Sequence, residues 1–516
     1  MNYSFDKFGR FVIEGYNNSK PFSSFLPGIA GLKGIPLWVF YVNRGQCIAS
    51  FGISNKDKPI LEFHPAFRAY QLTNNFGFRT FIKINGKYYE PFTFRSSESA
   101  TQEMYIGKNE LEISEYYKEF GLKTSITYFL LPNERVAALV RIVNIRNASM
   151  NDLSIELLDG ISILLPTGVN DYLIKHMGNT LRAWMDVYNL ESGVPLFKLR
   201  SSTEDVARIE EIKDANFYIS TVLNAESSQY ITPIVDPDNV FAHETSYNYP
   251  IIFAEKGLKS ILEREQHTTN KIPCAFTPFE GVIKSNESVR ILTVIGYVPD
   301  EKLVETYKEK LRSEPYLLSK LQEARTIVEN ITKDIETHTN YPLFDEYSRQ
   351  TYLDNVLRGG YPIVFSDFKK IYHVYSRKHG DLERDYNYFN LLAEYYSSGN
   401  GNYRDINQNR RNDVLFNPKV GSYNIRFFVN LIQADGYNPL IINGVRYKVS
   451  TEKLGFLEDI CTKEEAEKIR NFLSSEYFTP GKVAMLIEKE NIKMNIPEEE
   501  FIRKLIELSN EEIDAV

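Results

Sequence analysis

Residues 289–337 read VRILTVIGYVPDEKLVETYKEKLRSEPYLLSKLQEARTIVENITKDIET, and they divide the chain into two parts. The first ten residues are the run of β-branched and aliphatic residues that is typical of a strand. From 301 to 337 there is no Gly and only one Pro, Pro315, which is expected to divide the region into two helices. One apolar helix face is predicted from residues that recur at spacings of four and three: Leu317, Leu321, Ala324, Val328, Ile331 and Ile335.

Working outward from this boundary, the earlier part has a β pattern and the later part an α pattern. Runs at 136–145, 217–222 and 289–298 predict strands, and turn residues such as those at 235–239 separate them. So many strands over so long a segment favour one large antiparallel sandwich. After residue 341, helices are predicted at 344–358, 382–396, 424–433, 463–474, 481–489 and 498–508, followed by a solvated end. The predicted domains are therefore 1–300, a helical linker at 301–340, and 341–516.

Composition narrows the class of protein. The 516 residues have a net charge of -8, which argues against a nucleic-acid partner. The mean hydropathy is -0.33, and no apolar run is long enough for a membrane span. Cys47, Cys274 and Cys461 lie far apart and form neither a metal nor a disulfide spacing. With no secretory signal at the N-terminus, we expect a cytoplasmic protein.

Residues 373–413 carry the strongest functional signal. They read HVYSRKHGDLERDYNYFNLLAEYYSSGNGNYRDINQNRRND, which combines aromatic rings with carboxylate, guanidinium and amide groups. Aromatic faces stack on the C–H faces of a pyranose, and the polar groups bind its hydroxyls. The stretch therefore predicts a sugar site. The alternative is an Arg–carboxylate network that only fixes a long loop.

A metal site in the same stretch is not expected. His373 and His379 are followed by Asp381, Glu383 and Asp385, which are possible ligands by residue type. Their spacing matches neither a pair of histidines four residues apart nor a facial triad. The group Tyr403-Arg404-Asp405 with Asn407-Gln408 is denser in side chains that bind a hydroxyl or phosphate oxygen.

Several segments resemble those of inverting glycoside phosphorylases. They are YRDINQN (403–409), SRKHGDLERDYN (376–387), NLIQADGYNP (430–439), and an opening with FGRF (8–11), PFSSFLPGIAG (21–31) and GIPLWVFYVNRG (34–45). The chain looks similar to the cellobiose and chitobiose phosphorylases and is most similar to their β-1,3-glucan (laminarioligosaccharide) relatives. The resemblance implies a multi-domain β + α fold: a large antiparallel β-supersandwich, a helical linker, and a six-hairpin α/α barrel.

The resemblance also implies an activity. Such an enzyme cleaves β-glucan oligosaccharides with inorganic phosphate, without a metal or organic cofactor, and forms glucose 1-phosphate with inversion. One carboxylic acid protonates the glycosidic oxygen, and phosphate attacks the opposite face. The resemblance makes Arg404 and Asp405 the expected sugar contacts, supported by Gln408 and Arg377. Arg410 or Arg411 is expected to assist phosphate, with a salt bridge to Asp413 as the alternative.

Two departures from the family concern the catalytic acid. The family carries it in a Trp-containing GDWND-like segment, but this chain has only Trp38 and Trp184, both in the β part. Asn409 stands where the family usually has Asp, and Asp413 follows four residues later. The barrel also looks partial, so we expect the N-terminal part of a larger enzyme, inactive alone, with the acid elsewhere and a partner polypeptide carrying the rest. Within the chain, Asp381 is the remaining candidate, and a homodimer is possible.

Two other classes stay open at this point. One is a non-catalytic sugar-binding or assembly subunit built on the same architecture. The other is an inverting hydrolase, which needs a second carboxylate about 6.5–9.5 Å from the acid to activate water. The sequence gives no distance between carboxylates, so it does not separate these classes.

Overall fold

The computed structural model describes residues 3–201, 212–225, 227–378, 388–475 and 477–516. Within these residues the protein is a mixed β/α fold with a large antiparallel sheet and many helices, which confirms the predicted β + α class. The six-hairpin arrangement of the later helices stays a prediction. No helix in the described ranges is both long and apolar enough to cross a membrane.

The strands of the earlier part run in chain order as β1 (Tyr3–Phe5), β2 (Phe11–Glu14), β3 (Ser23–Phe25), β4 (Trp38–Val42), β5 (Ile48–Gly52), β6 (Pro59–Leu61), β7 (Phe78–Ile84), β8 (Lys87–Tyr89), β9 (Ala100–Ile106), β10 (Glu110–Tyr117), β11 (Leu122–Leu130), β12 (Ala137–Asn147), β13 (Leu153–Ile161), β14 (Met185–Tyr188), β15 (Leu196–Leu199), β16 (Ala215–Leu223), β17 (Ser228–Tyr230), β18 (Ala275–Ile283) and β19 (Ser288–Val298). The later strands are β20 (Tyr361–Ser366), β21 (Lys370–Val374), β22 (Gly401–Asn402), β23 (Ile441–Lys448) and β24 (Asn510–Ala515).

The α-helices are α1 (Ala66–Phe76), α2 (Asp171–Arg182), α3 (Asp238–Phe241), α4 (Ile251–Lys256), α5 (Leu258–Leu262), α6 (Lys302–Leu311), α7 (Glu314–Thr332), α8 (Pro342–Gly359), α9 (Tyr403–Arg410), α10 (Asp413–Phe416), α11 (Tyr423–Val429), α12 (Leu457–Ile460), α13 (Lys463–Ser475), α14 (Pro480–Lys489) and α15 (Glu498–Leu508).

Two antiparallel sheets form the body of the earlier part. The larger has the order β1-β2-β9-β10-β11-β12-β19-β16-β15-β14, with β17 paired to β16, and the second has the order β18-β13-β7-β8. Alternate residues of both sheets, such as Val143 in β12 and Leu157 in β13, belong to one buried apolar cluster. The β-branched run that begins at Val136 forms β12, which pairs with β19 over ten residues, so the predicted strands are the centre of the large sheet.

A buried arginine joins the two sheets. Arg141 of β12 is fully buried and donates to Asp159 Oδ1 of β13 at 2.9 Å, with a second contact to the other carboxylate oxygen. It also donates to Gln46 Oε1 at 2.6 Å. Burial alone would lower the pKa of Arg141, but the Asp159 carboxylate outweighs burial, and the pKa of Arg141 is raised. The charge is therefore compensated inside the core.

The two helices predicted between 301 and 337 are present. Helix α6 ends at Leu311 and α7 begins at Glu314, with Pro315 in its first turn, where a missing backbone N–H costs nothing. The apolar face packs as predicted at four positions that are buried: Leu317, Ala324, Val328 and Ile331.

The part after residue 341 follows the prediction in four of its helices. Helices α8, α13, α14 and α15 match the predicted ranges closely, whereas α11 is shorter than predicted. The predicted helix at 382–396 is wrong over its described residues, 388–396, which run as bends and turns with one β-bridge between Leu391 and Gly399. The predicted solvated end is also wrong, because β24 pairs with β23 and Arg446 Nε donates to Glu512 Oε1 at 2.9 Å.

Candidate functional site

The C-terminal turn of α8 gathers several residues of the 373–413 stretch. The backbone N–H of Arg377 donates to the Leu357 carbonyl at 2.7 Å, and Arg410 Nε donates to the Gly359 carbonyl at 2.6 Å. The last carbonyls of a helix have no partner within the helix, and its C-terminus favours cations. This turn therefore brings Arg377 and Arg410 to one end of one helix, although 33 positions separate them in the chain.

Arg410 is buried, and among the described residues it forms no ion pair. Burial lowers the pKa of Arg410 to about 10, and its Nη1 has no hydrogen-bond partner in the described part of the chain. The alternative salt bridge to Asp413 is wrong. Asp413 Oδ2 instead contacts His373 Nε2 at 2.8 Å and accepts from Asn424 Nδ2 at 2.9 Å.

His373 is held neutral by this arrangement. Burial, with a smaller contribution from the Arg410 charge, lowers the pKa of His373 to about 4, although the hydrogen bond to Asp413 acts in the opposite direction. No cluster of three metal-ligating side chains occurs among the described residues. Four residues of the stretch lie outside the described residues: His379, Asp381, Glu383 and Asp385. The geometry of the site therefore does not include the candidate acid Asp381.

Arg377 connects the stretch to the N-terminal block. Its Nη1 donates to the Leu26 carbonyl at 2.7 Å, burial lowers its pKa to about 10, and its Nε has no partner among the described residues. Gly28 has a φ of +64°, and a Cβ there would lie 2.7 Å from Arg377 Nη2. A glycine at this position thus admits both the left-handed backbone and the guanidinium.

Further contacts define a junction between residues 26–63 and the described residues 377–378 and 388–396. The backbone N–H groups of Leu391 and Tyr396 donate to the carbonyls of Ser54 at 2.8 Å and Leu32 at 2.7 Å. Four aromatic rings pack together there, with Phe389 at centroid distances of 5.4 to 5.8 Å from its neighbours Phe25, Trp38 and Phe63. Two segments more than 300 residues apart therefore form one structural unit.

The remaining predicted contacts lie on or beside α9, on what we call the α9 face: Arg404, Asp405, Gln408 and Arg411. Arg404, Gln408 and Arg411 are exposed, and Asp405 is partly buried. Asp405 Oδ1 accepts from Arg404 Nε at 3.2 Å. Burial lowers the pKa of Lys378, the residue that follows Arg377, and the Asp405 charge opposes that shift. Asp405 therefore lies close enough to Lys378 for the two charges to interact. The structure thus separates the predicted site into a buried layer, with Arg377 and Arg410, and the exposed α9 face.

Sequence reasoning missed a pocket beside the junction. A cavity of about 340 Å³ is lined by residues that include Glu62, Phe63, His64, Phe67 and Asp171. His64 Nε2 lies 3.6 Å from Glu62 Oε2. Burial is the main cause that raises the pKa of Glu62 and lowers the pKa of His64. The signal was present at 62–70, EFHPAFRAY, where aromatic rings alternate with ionisable groups.

No family model matches the sequence, and no curated protein does. The solved structures similar to the chain include a bacterial glucoamylase in complex with acarbose, with 11% identity, a TM-score of 0.35, and coverage of 81% of this chain and 51% of that one. A family GH92 inverting mannosidase from Bacteroides thetaiotaomicron has 10% identity, a TM-score of 0.28, and coverage of 68% and 37%. A human-microbiome protein whose name assigns it as a kojibiose phosphorylase has 8% identity, a TM-score of 0.23, and coverage of 66% and 32%. The chain spans about half or less of these structures, and TM-scores this low assign it neither a fold nor an activity.

Proposed function

We propose that this chain is a carbohydrate-active protein of the glycoside phosphorylase class. It would cleave β-glucan oligosaccharides with inorganic phosphate as co-substrate and form glucose 1-phosphate with inversion. One observation carries the proposal. Two of the segments that resemble phosphorylases, 21–31 and 376–387, contain Leu26 and Arg377, and Arg377 Nη1 donates to the Leu26 carbonyl at 2.7 Å. Residues from distant parts of a chain that converge in this way commonly build one ligand site.

The proposed roles follow from exposure and charge. On the α9 face, Arg404, Asp405 and Gln408 are accessible to sugar hydroxyls, which planar guanidinium and carboxylate groups bind well. Arg411 is exposed and would contact phosphate directly. Arg410 is enclosed, so it would act on the phosphate through its positive field rather than by contact. Phosphate is itself the nucleophile, so no catalytic base is required.

The resemblance implies a proton donor elsewhere; within this chain, two carboxyl groups are proposed as candidates. Asp381 follows from the sequence, and Glu62 follows from the pocket beside the junction, where burial raises its pKa as proton donation requires. A proton donor matters most when the leaving group is a poor one. We therefore expect Glu62→Gln, if Glu62 is the donor, to lose turnover of laminaribiose while turnover of p-nitrophenyl β-glucoside is retained.

The proposal includes the organisation of the protein. We propose a β-supersandwich at 1–300, a helical linker at 301–340 and part of a six-hairpin α/α barrel at 341–516, in a cytoplasmic protein. A polypeptide that supplies further barrel helices and a second copy of the chain are the proposed partners. The exposed apolar side chains Leu415, Ile425, Tyr437 and Leu440 in the last part are compatible with such a partner.

The activity is tested by incubating the purified protein with glucose 1-phosphate and either glucose or laminaribiose, and measuring phosphate release. We expect no release by the chain alone and acceptor-dependent release once a polypeptide that supplies further barrel helices is added. Asp405→Asn should reduce that release roughly tenfold or more, because a charge-assisted hydrogen bond to the sugar is lost. The matched control is Asp435→Asn, which removes an exposed carboxylate from the same part of the chain.

The assay also separates the competing classes. Glucose formed from laminarioligosaccharides without phosphate would contradict the proposal in favour of a hydrolase. Sugar binding at the α9 face without any phosphate release, with or without a polypeptide supplying further barrel helices, would contradict it in favour of a binding subunit. Equal rates in Asp405→Asn and Asp435→Asn would contradict the proposed site.

A further inference from the structure

A second cavity, of about 700 Å³, lies between the large sheet, the linker and the last helices. One wall contains Arg135, just before β12, and Pro299, just after β19. Other lining residues come from 393–395 and from helices α13 and α14. None of its lining residues belongs to the α9 face or to the pocket that contains Glu62.

Cationic side chains dominate the charged lining of this cavity. Four lining residues are cationic and two are acidic. The cationic residues are Arg135, Lys213, Lys482 and Lys489, and the acidic residues are Asp300 and Glu394. Arg135 Nε lies 3.8 Å from Glu488 Oε1. In the described ranges, the three lysines form no ion pair, so their ammonium groups are available to an anion at the rim.

Both carboxyl groups are engaged in local structure. Asp300 Oδ1 accepts the backbone N–H of Lys302 at 3.0 Å, at the start of α6. Glu394 accepts a hydrogen bond from the hydroxyl of Thr479, the N-cap of α14. Burial raises the pKa of Glu394, with Thr479 and Lys482 opposing that shift. Neither group therefore neutralises the lysines by direct pairing.

The floor of the cavity is apolar and held in place by backbone packing. It is formed by six side chains from four segments: Leu303, Ala393, Tyr395, Phe472, Met485 and Leu486. Gly481, in the first turn of α14, packs so closely that an added Cβ would lie 1.7 Å from the Tyr395 carbonyl oxygen. Helix α14 therefore packs directly against residue 395, which fixes this side of the cavity.

From this combination we infer that the cavity is a binding site for a small organic anion with an apolar ring. The ring would lie on the floor around Tyr395 and Phe472, and a phosphate, sulfonate or carboxylate group would reach the lysines at the rim. This site goes beyond the proposed function, because it needs neither the α9 face nor any catalytic step.

The probe for this site is 1-anilinonaphthalene-8-sulfonate, an aromatic sulfonate whose fluorescence rises in apolar surroundings. We expect saturable binding that weakens at least about tenfold in the double variant Lys482→Gln/Lys489→Gln, because two charge-assisted contacts are lost. The matched control is Lys463→Gln/Lys468→Gln on α13, which removes the same charge from exposed positions outside the cavity. Circular dichroism confirms that all variants are folded.

Competition experiments distinguish the contribution of the anionic group to binding from that of the aromatic ring. Phenyl phosphate should displace the probe, whereas inorganic phosphate or phenol at the same concentration should not. Equal probe affinity in the two double variants would overturn the inference, as would displacement by inorganic phosphate alone. Asp405→Asn should leave probe binding unchanged, so a failure of the proposed function and a failure of this inference are read from different variants.

Discussion

Arg141 in the sandwich and Arg410 in the last part are both buried, but their surroundings are opposite. Arg141 contacts both oxygens of Asp159 as well as Gln46, and its pKa is raised. Arg410 bonds a backbone carbonyl, leaves Nη1 without a described partner, and has a pKa lowered to about 10 by burial. A buried guanidinium without a carboxylate is costly, and such costs are concentrated at functional sites.

Arg377 repeats the pattern of Arg410 rather than that of Arg141. It too bonds a carbonyl, has an Nε without a described partner, and has a pKa lowered to about 10. The sandwich therefore uses a buried arginine to join two sheets, whereas the later part buries two arginines that form no ion pair among the described residues. The difference suggests a scaffold in the first region and an anion-handling site in the second.

The largest expected effect tests the scaffold role. Arg141→Ala leaves Asp159 buried without its cation, and we expect a loss of about 3–5 kcal/mol in the free energy of unfolding. Chemical denaturation measures it, with Arg146→Ala, an exposed position on the same strand, as the control that should change stability by about 0.5 kcal/mol or less. Equal losses in the two variants would remove the distinction between the arginines.

The next expected effect is a dependence of protein stability on pH, which comes from His373 in the later part. The pKa of His373 is about 4 in the folded protein, against an ordinary value of 6.5, so the folded state binds fewer protons between these values. Stability should therefore fall as the pH drops from 6.5 towards 4, by on the order of 3 kcal/mol, and this contribution is absent above 6.5.

Denaturation at a series of pH values tests this dependence. His373→Gln should flatten the profile within the window. His338→Gln should leave the profile as it is, since 82% of that side chain is exposed. A profile that falls equally steeply in His373→Gln would show that other groups cause the acid sensitivity.

A smaller effect tests the contact between the N-terminal block and Arg377. Gly28 and Gly15 have similar φ values, +64° and +62°, but only at Gly28 would a Cβ meet other atoms, Arg377 Nη2 at 2.7 Å and the Leu37 carbonyl oxygen at 3.0 Å. Both alanine variants lose about 1–2 kcal/mol from the left-handed backbone. Gly28→Ala should lose at least about 1 kcal/mol more from crowding. Equal losses in chemical denaturation would mean that the junction tolerates displacement of Arg377.

The sequence predicted those elements whose pattern is local. The apolar stripe of α7, the position of Pro315 and the helices α13 to α15 follow from periodicity and capping residues. Helix α9 was missed because in YRDINQNR only Ile406 and Arg410 are buried, so no apolar stripe marks it. Strand β24 was missed because its acidic residues look solvated, whereas their partners lie on β23.

The site was predicted in its residue types but not in its pairings. The sequence offered Asp413 as a partner of Arg410 or Arg411, three or two positions away. In the structure Asp413 instead contacts His373, which lies 40 positions earlier in the chain. The Leu26 carbonyl, which accepts a hydrogen bond from Arg377, lies even farther from its partner in the sequence. Pairings of this kind depend on how β21, α8 and α9 pack, which no local pattern contains.

The measurement that tests the central claim most directly is the Michaelis constant for each substrate of phosphorolysis in two variants of the α9 face, each assayed together with the polypeptide that supplies further barrel helices. Arg411→Gln should raise the KM for phosphate roughly tenfold and leave the KM for laminarioligosaccharide unchanged, because one charge-assisted contact is lost. Arg404→Gln should do the reverse. An unchanged KM for phosphate in Arg411→Gln, or the same shift in both constants for both variants, would contradict the assignment of the α9 face as the phosphate and sugar site.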